Sequence, residues 1–376
     1  MVRKTLHFEE TASILITGQI WLWLLLVLPA YFLRPILLRR VIRDAEGNRL
    51  PPGPNICYAF LRKYAERALH AWAAQYGSLF SIWMGSQLFI VVSDPHVARD
   101  LLVLNGSIFS TRKRYFMKNQ VILNGRAITA SEYGNKWRQH RRLAGIALNP
   151  KAMEQYASFM DYEAHIFIKS LYDEGVKGDK PVNPAHYAGR FALNNMLFMS
   201  FGIRTVSASD PLVATALDLA MEFMDLTGPW SNCVDFFEFL QYLPTQKRTR
   251  GRILHDSLIN VYGGMISDFK DKLRSGKDVP DCLVKTLLDN EETEHLDWED
   301  LCMLSAVFTL GGVHSTSGII QWFLALIPSH RDVLARAHKE LDDVIGRSRW
   351  PNFEDESSLP YIRAIIKEAS TSFNGT

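Results

Sequence analysis

The sequence predicts a mainly α-helical protein with a small β-sheet, preceded by one N-terminal transmembrane helix. Three observations carry that expectation. Ala12 to Leu33 is a 22-residue stretch without a charged side chain. Leu79 to Met84 and Leu88 to Val92 are short apolar runs facing each other across Gly85-Ser86, the pattern of a β-hairpin. From about Ser131 onward, apolar residues recur at helical spacing. Apolar residues make up 47% of the 376-residue chain, which excludes wholesale disorder. With 42 basic against 40 acidic side chains the net charge is +2, so nothing argues for nucleic acid or another polyanion as partner.

Taken in order, residues 1–11 precede the apolar stretch and are assigned to the lumen. Residues 12–33 form the anchor: a helix of that length covers about 33 Å, enough for a bilayer core. Trp21, Trp23 and Tyr31 suit its interfaces. Arg3 and Lys4 lie before it, and Arg34, Arg39, Arg40 and Arg43 after it, so the bulk of the chain is expected to face the cytosol. Residues 34–55 read as a basic, proline-rich hinge, because Leu50-Pro51-Pro52-Gly53-Pro54 cannot be regular helix.

The main domain is assigned to residues 56–369. A helix is expected over Cys57 to Tyr76, followed by the hairpin. Asp94-Pro95 and Asp210-Pro211 each place a cap residue before a proline at the first turn, and so open helices. The first carries Val97, Leu101, Leu102 and Leu104; the second runs to about Met224. Phe191 to Phe201 is helical and ends near Gly202, and Arg250 to Lys272 is amphipathic. Stripes end at Gly346 and at Ala369. The tail, residues 370–376, shows no helix periodicity.

Cys57, Cys233, Cys282 and Cys302 form no short metal-ligand spacing, and Cys302 reads as a buried small hydrophobe. The basic run Arg138, His140, Arg141 and Arg142 reads as a solvated helix face.

Three constellations could carry chemistry. In the first, Trp137 and Arg141 are four apart, so a helix puts both on one face, where indole and guanidinium could hold a carboxylate. A surface helix explains the same residues. The second is the apolar helix from Trp298 to Ile327, capped by Asp297 and ended by Pro328. It contains Gly311-Gly312-Val313-His314-Ser315-Thr316-Ser317. Two adjacent glycines, each costing a helix interior about 1 kcal/mol, suggest either an opening where a ligand approaches the backbone or a break between two helices. The third is Leu359-Pro360-Tyr361 opening a helix that reaches Glu368.

In this order, the anchor, the Pro-Pro-Gly-Pro hinge, the Trp-x-x-x-Arg helix, the Gly-Gly helix, Trp350-Pro351 and the Leu-Pro-Tyr helix resemble a microsomal cytochrome P450 of fungal type, from about residue 12 to 368. The resemblance implies that fold, haem as cofactor, and oxygenation of an apolar small molecule with electrons from a flavoprotein reductase at the endoplasmic reticulum membrane. It implies that Trp137 and Arg141 lie beside a haem propionate. By the same likeness Gly311 and Gly312 border the cofactor, and His314, Ser315 and Thr316 occupy the oxygen-activation positions. Glu368 would be the structural acid of a Glu-x-x-Arg pair.

Three departures go with the resemblance. His314 stands where the family has an acid, Thr371 stands where Glu368 would find its arginine, and no Phe-x-x-Gly-x-Arg-x-Cys-x-Gly loop with the axial cysteine occurs. A histidine can relay protons but supplies no fixed negative charge. The axial thiolate favours O–O cleavage. A monooxygenase, a truncated and inactive relative of one, and a membrane-bound haem or lipid binding module therefore all stay open.

Overall fold

A computed structural model describes residues 33, 36–54, 65–85, 87–207, 209–228, 231–290 and 296–374. Most of the anchor segment, Cys57 and the first part of the helix expected from it lie outside these residues. The described residues fall into two units, those within Met1–Thr111 and Thr227–Thr245, and those within Arg112–Leu226 and Gln246–Thr376.

The first unit is built on a hairpin. Helix α1 (Ala65–Tyr76) precedes β1 (Leu79–Met84) and β2 (Gln87–Val92), which pair antiparallel from Leu79 opposite Val92 to Met84 opposite Gln87. The tight turn needs a left-handed residue, which Gly85 supplies at φ +61°. Phe80, Ile82 and Met84 are buried with Ala65, Ala68 and Phe236 in a small core. Ser81, on the other face of β1, is fully buried yet satisfied. Its hydroxyl donates to Pro51 O at 2.7 Å and accepts from Arg39 Nη2 at 2.6 Å. Arg39 Nη1 also donates to the carbonyls of Gly53 and Pro54, at 2.6 and 2.7 Å. The proline-rich segment Pro51–Pro54 is thus laced to β1.

Asp94 caps α2 (Pro95–Arg99) as expected, accepting from His96 N and Val97 N at 2.7 and 3.1 Å. The helix then widens to a π turn at Asp100–Leu104, and α3 (Gly106–Phe109) follows. Leu102 and Leu104 are exposed.

The second unit is almost wholly helical: α4 (Asn135–Ala147), α5 (Pro150–Glu174), α6 (Ala185–Phe201), α7 (Pro211–Thr227), α8 (Gln246–Arg274), α9 (Leu283–Asp289), α10 (Trp298–Leu326), α11 (Arg331–Val344) and α12 (Pro360–Asn374). At its centre α6 packs against α10, and α8 packs on α10 from another side. Apolar residues surround both helices, so both go to the middle. Leu193, Leu197, Leu258, Tyr262, Cys302 and Leu304 are among the buried core residues. Ser200 and Thr309 share a hydrogen bond of 3.0 Å between the two helices. Gly202, at φ +63°, ends α6 in the left-handed cap, its N–H bonded to Phe198 O at 2.9 Å.

A buried charge also holds the unit. Glu163 on α5 is fully buried and pairs with Arg204 and with Arg190, and accepts from Asn194 Nδ2 at 2.9 Å. Asn194 in turn accepts from the Thr205 N–H and hydroxyl, while Arg190 Nε is left without a hydrogen bond. Breaking it by removing one member would strand a charge in the core.

Helix α12 differs from its sequence stripe. The apolar spacing ends at Ala369, whereas the helix continues through the tail to Asn374.

Candidate functional site

Helix α10 is continuous from Trp298 to Leu326, which removes the helix break as an explanation of Gly311-Gly312. Asp297 caps it by accepting from Asp300 N at 2.8 Å, and Pro328 lies just beyond its end. Its first half is core, from Asp300 to Ala306; from Gly311 onward one side opens. Among the described residues this is the one helix long and apolar enough to cross a membrane, and its buried first half explains that composition.

The two glycines do different work. A methyl added at Gly311 would meet nothing within 4 Å, whereas one at Gly312 would stand 2.1 Å from Met196 Sδ. Gly311 therefore belongs to an open face, and Gly312 lets α6 and α10 approach. Gly312 is thus a packing residue, and only Gly311 leaves space beside the helix. Ser315 lies on the Gly311 side, one turn on, and its hydroxyl donates to Gly311 O at 2.8 Å. His314 is exposed beside them. At 100° per residue Thr316 is about 140° round from Gly311 and leaves that face. The hydroxyl that stays with the glycine is that of Ser315.

Trp137 and Arg141 do share a face of α4, as their spacing requires. Trp137 is half-buried, its ring 5.2 Å from that of Tyr133. Arg141 is exposed. Among the described residues neither the indole N–H nor the guanidinium has a hydrogen bond or ion pair, so the pair presents free donors toward an anion. The basic run around them is not uniformly solvated. Arg138, Arg141 and Arg142 are exposed, but His140 is fully buried on the face with Leu143, Ala144 and Ala147. Neither ring nitrogen of His140 has a partner, and burial pushes its pKa down.

Sequence spacing did not reveal the cluster where α4 meets the start of α10. Asp300, only 3% exposed, lies 2.7 Å from Lys136 Nζ and 3.1 Å from Arg126 Nη1. Arg126 also reaches Asp297 at 2.6 Å and Glu299 at 3.0 Å. One signal was available: Lys136 is a cation in the first turn of a helix, against the helix dipole. Asp300 is eleven residues before Gly311, about 16 Å along the axis.

Glu368 is exposed and has no partner among the described residues. It edges an apolar groove of about 540 Å³ between α10 and α12, lined by Trp322, Phe323, Tyr361 and Ile365.

The free donors of Trp137 and Arg141 fit the carboxylates of a porphyrin, and the open side of α10 fits a flat ligand without displacing a side chain at Gly311. The described cysteines do not fit an axial thiolate. Cys302 is fully buried nine residues before Gly311, hence on the opposite side of α10, against Gly263. Burial raises the thiols of Cys282 and Cys302 to about 11, so both stay protonated at neutral pH. Cys233 is exposed in the other unit.

Mainly helical, with one long central helix and a two-stranded sheet, the architecture is of the cytochrome P450 class. The chain belongs to that family: the cytochrome P450 family model matches residues 50–369. Haem is the family's cofactor. A cytochrome P450 monooxygenase of Armillaria gallica is 26% identical over 361 residues, covering 94% of this chain and 67% of the relative. Cytochrome P450 monooxygenase 58 of Postia placenta is 26% identical over 344 residues, 89% of this chain and 64% of the relative. A flavonoid 3',5'-hydroxylase of Campanula medium is 28% identical over 351 residues, 88% of this chain and 67% of the relative. The chain thus spans about two thirds of the length of these curated relatives.

Proposed function

We propose that this chain is the haem-holding body of a monooxygenase that oxidises an apolar small molecule. The observation that carries the reading is the free guanidinium of Arg141 one turn after Trp137. An exposed, unpaired arginine beside an indole N–H is a ready clamp for a carboxylate, because charge-assisted hydrogen bonds to it are strong and directional. When bound, haem supplies the activation of dioxygen. Trp137 and Arg141 bind and orient its carboxylates. Gly311 leaves space over α10 for a flat ring. His314, exposed beside Gly311, is placed to hold or pass a proton. Ser315, whose hydroxyl proton is committed to Gly311 O, keeps lone pairs free to accept a proton or a hydrogen bond. Electrons come from a flavoprotein reductase, and the apolar 12–33 segment holds the chain at the endoplasmic reticulum membrane with its bulk in the cytosol. The monooxygenases and the flavonoid hydroxylase among the relatives support this reaction class.

A second reading has its own observation. Cys282 and Cys302 are buried and protonated, so neither of these two supplies a thiolate, and the second reading is a P450-like body that binds porphyrin without turnover. The reduced carbon monoxide difference spectrum of the full chain separates the two. A thiolate-type Soret band supports the monooxygenase; haem uptake without that band supports the second reading. No haem uptake by wild type sinks both.

A further inference from the structure

We infer that Lys136 and Asp300 position the Trp137–Arg141 clamp by fixing the rotation of α4 about its own axis. The inference rests on the reading of that pair as a carboxylate clamp. Helix α4 is held at two points. It packs on α9, and in its last turn Ile146 and Ala147 border the same cavity as Lys285 and Thr286 of α9. Its first turn is tied to α10 by the Lys136–Asp300 ion pair, at 2.7 Å. Two attachments at opposite ends of a thirteen-residue helix leave it little freedom to roll. Trp137 and Arg141 stand 100° round from Lys136 and His140, so any roll turns the clamp directly.

The residue type at 136 is otherwise hard to account for. Gly134 gives α4 no side-chain cap, and a cation in the first turn opposes the helix dipole. The carboxylate of Asp300 offsets that cost. It is the right acid for the purpose: it sits in the first turn of α10, where negative charge is favoured, and Arg126 holds its other oxygen at 3.1 Å. His140, one turn after Lys136 on the same face, cannot supply the tie, since neither ring nitrogen is hydrogen-bonded.

The experiment uses the full chain in detergent, labelled with 5-fluorotryptophan, the Trp137 signal being assigned with Trp137→Phe. Haemin is titrated into wild type, Lys136→Met, Lys136→Arg and Arg141→Ala. Lys136→Met is expected to shift the Trp137 fluorine signal and weaken haemin binding several-fold, and Lys136→Arg to restore both. A purely structural lysine would lower the unfolding midpoint and leave the Trp137 signal of the folded chain unchanged. If Arg141→Ala weakens haemin binding and Lys136→Met does not, the positioning role falls while the clamp stands. If Arg141→Ala has no effect, the clamp falls. The Trp137 signal then decides alone whether Lys136 sets the helix: unchanged in Lys136→Met, it overturns the inference.

Discussion

Gly312 lies against the side chain of Met196 so closely that a methyl there would stand 2.1 Å from Sδ and 2.6 Å from Cγ. The neighbouring Gly311 has nothing within 4 Å. Alanine at either position gains about 1 kcal/mol of helix propensity. At 312 that gain is opposed by overpacking, typically about 1–3 kcal/mol, because Met196 is itself 9% exposed and hemmed in by the core. Gly311→Ala should therefore stabilise the fold by about 0.5–1 kcal/mol. Gly312→Ala should destabilise it by about 1 kcal/mol, and become stabilising in a Met196→Ala background. Urea unfolding of the four variants measures this. Equal stabilisation by both alanines would show that the close approach has no energetic weight.

The lacing of the proline-rich segment to β1 makes a second prediction. A methyl at Gly53 would meet Ser81 O at 2.0 Å and Arg39 Nη2 at 2.6 Å. A backbone carbonyl cannot swing aside as a side-chain end can, so Gly53→Ala should cost about 1–3 kcal/mol. Arg39→Met removes the donors to Gly53, Pro54 and Ser81 and should cost about 1–3 kcal/mol through the stranded carbonyls. Both should raise amide exchange at Ser81, whose N–H donates to Pro52 O at 2.8 Å, and leave α6 protected. Unchanged exchange at Ser81 in Arg39→Met would mean that the prolines hold that path unaided.

How much of this was legible follows from what each feature depends on. Helix ends set by local chemistry were readable: Asp94 and Asp297 cap where their spacing to the following N–H groups requires, and Gly202 terminates α6. The turn at Gly85 and the shared face of Trp137 and Arg141 are likewise local geometry. What depended on a distant partner was not readable. Nothing beside Gly312 in the chain announces Met196, so spacing alone does not tell the two glycines apart. His140 sits among three arginines and reads as solvated, yet it faces the interior with Leu143. Ser315 and Thr316 are neighbours in the chain, yet adjacent residues on a helix lie 100° apart. The tail reads as irregular because Thr371 and Ser372 are poor helix formers, but a helix already nucleated at Pro360 needs only favourable propagation to reach Asn374.

Glu340 on α11 caps the start of α12, its two carboxylate oxygens accepting from Tyr361 N and Ile362 N at 2.9 Å each. These are donors that no residue of α12 itself can satisfy. The negative charge also suits the helix N-terminus. Arg336, one turn earlier on α11, stacks 4.2 Å over the Tyr361 ring, so α11 grips the same turn twice. Glu340→Ala should cost about 0.5–2 kcal/mol, and Glu340→Gln less, since one acceptor remains. Amide exchange should rise first at residues 361–364 in Glu340→Ala. If it rises uniformly across α12, the helix is held by packing on α10 and the cap is incidental.

His140 predicts how the second unit responds to acid. The imidazole is fully buried and unpaired, and burial lowers its pKa below the ordinary 6.5. The carboxylate of Asp300 acts in the opposite sense, while Lys136 and Arg126 add to the lowering. In the folded state the ring is therefore neutral at pH values where the unfolded chain would already bind a proton. The unfolded state then takes up more protons, and stability rises with pH across that interval. His140 thus contributes stability that is complete above about pH 6.5 and is lost as pH falls through its lowered folded value. His140→Phe keeps a planar ring in the same site and removes the titration. Urea midpoints measured from pH 8 to pH 5 should fall for wild type below 6.5, and fall less steeply for His140→Phe. Parallel slopes for the two proteins would mean that the imidazole takes up its proton without leaving its buried place.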